Sequence, residues 1–315
     1  MREAVVLLNM GGPNNLYEVE MFLTNMFNDP YILRTKSKML RKLIAGIITW
    51  TRVEKSQEIY RRIGGKSPLV DLTRSLVAKV QDVLGSDILV DFVMRYTPPM
   101  AEEVCTRLKE QGIEKVYLIP LYPQYSGTTT QSSLDDFEAA AHKIGWDLIT
   151  VEIKHFFAHP TYNECLLERI KEALSEDKAS DYDLVFSAHG LPQKVVDDGD
   201  PYQRHVINHV ALMKELMQER GINFNAVHLA YQSKVGPMKW LEPSLESTLR
   251  SLKSKKVIIV PIAFTIDNSE TDFELSIEYA EVAHEIGLEN YRVCRCPNDH
   301  PLFVQTITEL YTKMR

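Results

Sequence analysis

The sequence has little cysteine, no long apolar run and no excess of positive charge, and each shortage removes a class of protein. Four cysteines in 315 residues, Cys105, Cys165, Cys294 and Cys296, do not build a disulfide framework. The close pair Cys294-Arg-Cys296 lacks the spacing of a zinc or iron–sulfur site. With 36 Lys and Arg against 43 Asp and Glu the formal charge is −7, a surface that repels nucleic acid. Neither a GxGxxG dinucleotide fingerprint nor a P-loop is present, and in Gly11-Gly12-Pro13 the proline removes an N–H that a phosphate would want. The opening Met-Arg-Glu leads into an apolar stretch of a few residues, Ala4 to Leu8, too short for a signal peptide. These shortages together predict a cytoplasmic chain in a reducing compartment. The segment MLRKLIAGIITWTR (39–52) holds an apolar run flanked by Arg41, Lys42 and Arg52, far short of the ~20 residues of a membrane-spanning helix. Two readings stay open for it: a core helix, or an exposed apolar lip that touches a greasy ligand or a membrane surface.

What is present is globular. The chain is 44% hydrophobic and 25% charged, with a mean hydropathy of −0.20, and its length suits about two domains. Short β-branched runs alternate with amphipathic helical stretches, the pattern of parallel α/β architecture. Strands are predicted at 4–8, 88–94, 115–119, 148–153, 183–188, 225–231, 256–260 and 290–294. Helices are predicted at Ala101–Gln111, Leu134–Ile144, Tyr162–Leu174, Tyr202–Arg220 and Glu270–Ile286, with Asp200-Pro201 opening one of them as N-cap and first-turn proline. The halves echo one another. Leu8-Asn-Met10-Gly-Gly-Pro13 parallels Ser187-Ala-His189-Gly-Leu-Pro192, and Val116-Tyr-Leu-Ile-Pro120 parallels Val257-Ile-Ile-Val-Pro261. The echo favours two similar doubly wound lobes with a cleft between them, and it places the site at the carboxyl ends of the strands.

Several segments at those ends carry chemistry. His189 stands at the end of an apolar run and before a glycine; a neutral imidazole there can accept a proton near pH 7 or ligate a metal, although a turn histidine is also a common structural residue. Glu270, Glu274 and Glu278 recur every four residues, so on a helix they form one acidic stripe. That stripe is either a solvated face or a carboxylate ladder that carries protons or a divalent cation. Arg52, Lys55, Arg61, Arg62 and Lys66 surround Ser67-Pro68, a basic patch suited to a carboxylate-bearing ligand. An aromatic and hydroxyl-rich loop runs from Leu121 to Thr130, and Tyr231 to Leu241 sets aromatics beside glycine and proline, a flat wall for a flat ligand.

Taken together the chain resembles the ferrochelatases, which insert Fe(II) into a porphyrin in haem synthesis. The matching pieces are LLNMGGP (7–13), YRRIGGKSP (60–68), MRYTPP (94–99), LYPQYSGTTTQSS (121–133), FSAHGLP (186–192), GDPY (199–202), YQSKVGPMKWL (231–241) and PIAFTIDNSETDFELSIEY (261–279). They run in family order over nearly the whole chain. The resemblance implies two Rossmann-like lobes, residues 1–150 and 151–297, with 298–315 returning to the first, around a porphyrin cleft. It makes His189 the essential histidine, Glu270 its partner, and the two together the residues that meet the metal. Asp267, Glu274 and Glu278 would extend the path for protons or metal. Met10, Arg95, Tyr96, Tyr122 and Trp240 would line the macrocycle, Arg52, Lys55 and Ser67 would meet the propionates, and 39–52 would be the lip.

The chain departs from the family pattern at three informative places. Asn268 stands where many members have a histidine two residues before the essential glutamate, which leaves His189 with the carboxylates. Gly127 stands where animal members carry a cluster cysteine in the tyrosine loop, so no iron–sulfur cluster and no permanent cofactor is expected. Met10 resembles the members that use protoporphyrin; a related branch using coproporphyrin has tyrosine there. The implied activity is a lyase reaction, Fe(II) and protoporphyrin IX giving protohaem with release of two protons, by a monomer with peripheral contact to the inner face of a membrane through 39–52. Coproporphyrin III, another tetrapyrrole or metal, and a porphyrin or haem carrier without turnover are the alternatives.

Overall fold

The architecture follows from the alternation of buried β-branched runs and amphipathic helices. In a computed structural model, which describes every residue except Met1, Lys36, Val235 and Pro237, the chain divides into two compact units. The first is Met1–His155 with Val304–Arg315, the second Phe156–Phe303. These divisions fall a few residues beyond the boundaries at 150 and 297 expected above.

The first unit is built on β1 (Glu3–Asn9), β2 (Ile88–Met94), β3 (Lys115–Pro120) and β4 (Ile149–Glu152), all parallel in the order β2-β1-β3-β4. Its helices are α1 (Glu18–Asn28), α2 (Lys38–Arg62), α3 (Leu69–Leu84), α4 (Ala101–Glu110) and α5 (Ser132–Lys143). β1 is buried from Ala4 to Asn9, as a central parallel strand must be when helices cover both faces. One face of the sheet packs Val6, Leu8 and Leu118 against Val104, Leu108 and Phe137 of α4 and α5.

The second unit holds β5 (Asp183–His189), β6 (Ala226–Gln232), β7 (Lys256–Pro261) and β8 (Asn290–Val293), parallel in the order β6-β5-β7-β8. The helices α6 (Pro160–Leu174), α7 (Gln193–Asp197), α8 (Tyr202–Glu219), α9 (Leu245–Ser251) and α10 (Tyr279–Glu285) belong to it, and α11 (Pro301–Met314) closes the chain. Both sheets therefore place their first strand second in order and their third strand next to it. Asp200 Oδ1 accepts the Tyr202 N–H at 3.0 Å, which starts α8 where the sequence predicts it.

Two features differ from expectation. The predicted helix Glu270–Ile286 begins as a π-helix, Glu270–Glu278, and becomes α-helical only at Tyr279; a second π-helical turn, Gly127–Gln131, opens α5. Bonding from residue i to i+5 widens the turn to slightly more than four residues, so glutamates four apart still share a face. Of the two readings open for 39–52, the structure shows the exposed one. Ser37 caps α2, its hydroxyl accepting the Leu40 N–H at 3.4 Å. Met39, Leu43, Ile47 and Trp50 then stand exposed on one face, Met39 at 84% and Trp50 at 80%. The carboxyl half of α2 is anchored through Val53 and Tyr60 in a cluster with Phe22, Leu23 and Tyr96, and the amino half buries Ala45 and Thr49.

Candidate active site

In the second unit three strand ends converge on one carboxylate. β5 ends in His189, β6 in Gln232, paired in register with it, and the chain after β7 turns through Asp267 into the π-helix. The His189 Nδ1 is buried and has no hydrogen-bond partner, its ring lies edge-on to Phe264 with centroids 6.1 Å apart, and its carbonyl accepts the Tyr202 hydroxyl at 2.9 Å. A buried ring nitrogen without a partner is costly in a finished core, and it fits a group waiting for a ligand.

Glu274 is the most elaborately held member of the acidic row. Its Oε1 accepts the Ser233 N–H at 2.7 Å, and its Oε2 accepts the Gln232 Nε2 at 3.0 Å and the Ser233 hydroxyl at 2.5 Å. Gln232 is itself oriented, because its Oε1 accepts the Ser187 hydroxyl at 2.7 Å. Burial pushes the Glu274 carboxyl above its usual range, and the Glu270 charge adds to this; the Ser233 and Gln232 donors and nearby His189 pull the other way. The result is a carboxyl that can take up and release a proton closer to neutrality than a free glutamate. Glu270 is half-buried, with Oε2 accepting the Ser269 hydroxyl at 2.8 Å, and Glu278 is exposed at the far end of the π-helix. The row thus runs from two half-buried carboxylates to an exposed one.

Asp267 does not belong to that row. Its two oxygens accept the Cys296 N–H at 3.0 Å and the Asn298 Nδ2 at 2.7 Å, which ties the turn before the π-helix to the 296–298 segment. Asn268 has a local task as well. Its Oδ1 accepts the N–H groups of Glu270 at 2.9 Å and Thr271 at 3.2 Å, while its own N–H donates to the Thr271 hydroxyl at 2.9 Å, a reciprocal cap on the start of the π-helix. Among the described residues no three His, Cys, Asp or Glu side chains are grouped to hold a metal ion; the four cysteines are buried thiols, and burial pushes Cys105 and Cys165 up to about 12.

Trp240 is half-buried and bridges Pro192. With Gly190, Tyr231, Gln232 and Lys234 it lines a pocket of about 560 Å³ at the carboxyl ends of β5 and β6. In the motif 231–241, Val235 and Pro237 lie outside the described residues.

In the first unit Met10, Arg95 and Tyr122 follow β1, β2 and β3 respectively and are all half-exposed. The Tyr122 hydroxyl shares a hydrogen bond of 3.2 Å with Ser133 Oγ. Arg95 is gripped by Asp29 at 3.2 Å, Asp136 at 3.1 Å and Ser132 Oγ at 2.9 Å, with the Tyr96 ring 5.2 Å below it. Tyr96 is buried and donates its hydroxyl to Asp29 Oδ2 at 2.8 Å, so its ring is the floor under Arg95. Ser67 is likewise buried: a Cβ on Gly12 would meet its Oγ at 2.5 Å, and that oxygen accepts the Leu69 N–H at 3.3 Å. It shapes the 60–68 turn from a buried position, while the basic side chains around it are on the surface. Arg52 covers the Phe27 ring at 5.7 Å and Lys55 is exposed on the same helix.

The residues that sequence reasoning missed are Asp29, Ser132, Asp136, Gln232 and Ser233. Ser132, Gln232 and Ser233 lay inside quoted motifs, yet only the folded chain shows that the last two hold Glu274.

The family model for ferrochelatase matches residues 2–315. The chain belongs to the ferrochelatase family. It is 62% identical over 314 residues to a ferrochelatase of Sulfurimonas denitrificans, covering 100% of this chain and 99% of that one. It is 49% identical to a ferrochelatase of Nitratiruptor sp., covering 99% and 100%, and 46% identical to one of Helicobacter pylori, covering 100% and 94%. Among solved structures, SirB from Bacillus subtilis with Fe3+ superposes with a TM-score of 0.59 at 12% identity, covering 100% of this chain and 96% of that one. CbiX, a terminal enzyme of sirohaem biosynthesis, superposes with a TM-score of 0.55 at 12% identity, covering 100% of both chains. At such identities these two show the fold, a pair of Rossmann-like sheets. In the ferrochelatase frame, His189 with its free Nδ1 and the π-helical glutamates occupy the most specific of the matching motifs.

Proposed function

We propose that the chain inserts Fe(II) into protoporphyrin IX, giving protohaem and two protons, as the iron-inserting step of haem synthesis. The observation that carries this reading is the unpartnered His189 Nδ1 beside a π-helix whose central carboxylate, Glu274, is half-buried, held by Gln232 and Ser233 and raised above its usual range. Metallation requires removal of two pyrrole N–H protons and a bent ring that turns a lone pair toward the ion. His189 accepts the two pyrrole protons one after the other, and the Glu270–Glu274–Glu278 row passes each from half-buried to exposed positions and so to water. In this reading Glu270 is the partner of His189 at the metal, and Glu274 is the carboxylate whose charge interacts with His189.

Porphyrin contacts are assigned to Met10, Arg95, Tyr122 and Trp240, and propionate contacts to Arg52 and Lys55. Ring distortion held by these walls is ground-state strain offset by contacts elsewhere on the macrocycle. Met10 supports protoporphyrin over coproporphyrin, and Gly127 in the tyrosine loop supports a chain without an iron–sulfur cluster. The exposed stripe Met39, Leu43, Ile47 and Trp50 on α2, close in sequence to Arg41 and Lys42, supports peripheral contact with the inner face of a membrane. No described helix is long and apolar enough to cross a membrane.

The test of this reading is His189→Ala. Porphyrin binding, followed by fluorescence, is expected to survive while turnover with Fe(II) is lost. Turnover at the wild-type rate would remove His189 from the chemistry, and a wild type that binds porphyrin without metallating it would make the chain a carrier.

A further inference from the structure

Asp29 lies one residue past α1 in an Asp-Pro turn, and nothing in its sequence context marks it. Its side chain is fully buried. One oxygen, Oδ2, accepts three donors: the Tyr96 hydroxyl at 2.8 Å, the Ser132 hydroxyl, and Arg95 Nη2 at 3.2 Å. The other, Oδ1, accepts the Tyr31 N–H at 2.7 Å and so fixes the carboxylate to its own turn. Three separate elements are therefore fastened to one buried charge: the turn after α1, the end of β2 that carries Arg95 and Tyr96, and the first residue of α5.

The guanidinium has five N–H donors in one plane. Nε donates to Ser132 Oγ at 2.9 Å, Nη2 to Asp29, and Nη1 to Asp136 at 3.1 Å. Ser132 relays this arrangement, accepting from Arg95 and donating to Asp29. The Tyr96 ring covers one face of the guanidinium. Arg95 still keeps 20% of its side chain exposed, so what remains for a ligand is one edge and the uncovered face. Two carboxylates already balance its charge, and Arg95 is thereby a poor free cation for a propionate but a well-fixed wall.

We propose that Asp29 is a positioning residue of the porphyrin site, holding Arg95, through a shared carboxylate oxygen with Tyr96 and Ser132, in the single orientation that meets the macrocycle. This rests on the reading that Arg95 lines that macrocycle.

The experiment is a double-mutant cycle read by porphyrin binding and by KM against kcat. Asp29→Asn and Ser132→Ala are each made in wild type and in an Arg95→Gln background, with protoporphyrin IX as the probe and thermal melting as the check on folding. In the wild-type background Asp29→Asn is expected to weaken porphyrin binding and raise KM by about tenfold, and Ser132→Ala by less, since each removes part of a charge-assisted network. In the Arg95→Gln background either substitution is expected to change binding by less than about twofold, because residues acting through one another are not additive. Additive effects in both backgrounds overturn the proposal and leave Asp29 as scaffolding alone. Should Asp29→Asn not fold, the Ser132→Ala cycle decides by the same criterion. A wild type that binds no porphyrin overturns the underlying reading and this proposal with it, whereas binding without turnover leaves the cycle decisive.

Discussion

Replacing Gly190 by alanine tests how tightly the His189 strand is built against its neighbour. The added Cβ would stand 2.7 Å from the backbone oxygen of Gln232, while the Trp240 ring at 3.5 Å is an ordinary contact. That oxygen belongs to a β-strand and also accepts the Gly190 N–H at 2.8 Å, so it cannot swing away as a side-chain end could. Relief to a tolerable contact needs a backbone shift of about 0.5 Å in a close-packed interior. The shift falls on Gln232 and Ser233, whose groups hold Glu274 at 3.0 and 2.7 Å, and it takes the longer of these bonds to the edge of hydrogen-bonding range. Overpacking of this kind costs about 1–3 kcal/mol. Half an ångström at a reacting group is worth about tenfold in rate. Thermal melting and initial rates of haem formation measure the two effects, with turnover expected to fall further than stability. Gly46→Ala is the control: nothing lies within 4 Å of its added Cβ on exposed α2, and about 0.5–1 kcal/mol of stabilisation is expected there. A Gly190→Ala protein with full turnover and an unchanged melting temperature would refute the packing argument and the role given to Gln232 and Ser233.

Further outcomes follow from the same geometry. Glu274 is raised above the usual glutamate range chiefly by burial, so the acid limb of the pH–rate profile should lie above that range. Ser233→Ala, which removes the donor at 2.5 Å, should move the limb to higher pH; a limb that stays in place would take Glu274 out of the proton path. Because its folded pKa is raised, Glu274 favours the folded state at low pH and loses that contribution as pH rises through the folded value. His209 works in the opposite sense. It is buried and pushed from 6.5 down to about 3, so the unfolded chain takes up a proton that the folded chain refuses, and stability should fall as pH drops below about 6.5, by about 1.4 kcal/mol at about pH 5.5. Urea unfolding at several pH values should show this slope, and a His209→Gln variant that keeps it unchanged would contradict the assignment. On α2, Trp50→Glu with Leu43→Glu should abolish co-sedimentation with anionic vesicles while leaving haem formation from soluble porphyrin intact; vesicle binding equal to wild type would remove the lip from membrane contact.

The fold was legible where periodicity is strong. All eight predicted strands lie within two residues of their predicted ends; the central ones are legible because a buried parallel strand is written as an uninterrupted apolar run, while the edge strands β4 and β8 are exposed or half-buried. The candidate site was legible, as a set of candidates, where local chemistry is unusual: His189 before a glycine, the glutamates four apart, Met10 and Tyr122 after strands, and Trp240 beside glycine and proline. Three things were not. The π-helical bonding of Glu270–Glu278 has no distinct side-chain period, since four-residue spacing suits both helix types. Burial of Tyr96, Ser67 and Asp267 depends on partners far away in sequence, such as Asp29 for Tyr96 and Asn298 for Asp267. The exposure of α2 depends on what fails to cover it, and an apolar run reads the same in a core as on a surface.

The most direct measurement is anaerobic incubation of the purified protein with Fe(II) and protoporphyrin IX, following porphyrin fluorescence and haem absorbance together. The account predicts loss of fluorescence with haem formed in many-fold excess over protein, at a rate that His189→Ala abolishes. Porphyrin that binds and remains unmetallated, with iron present and the protein folded, would contradict it.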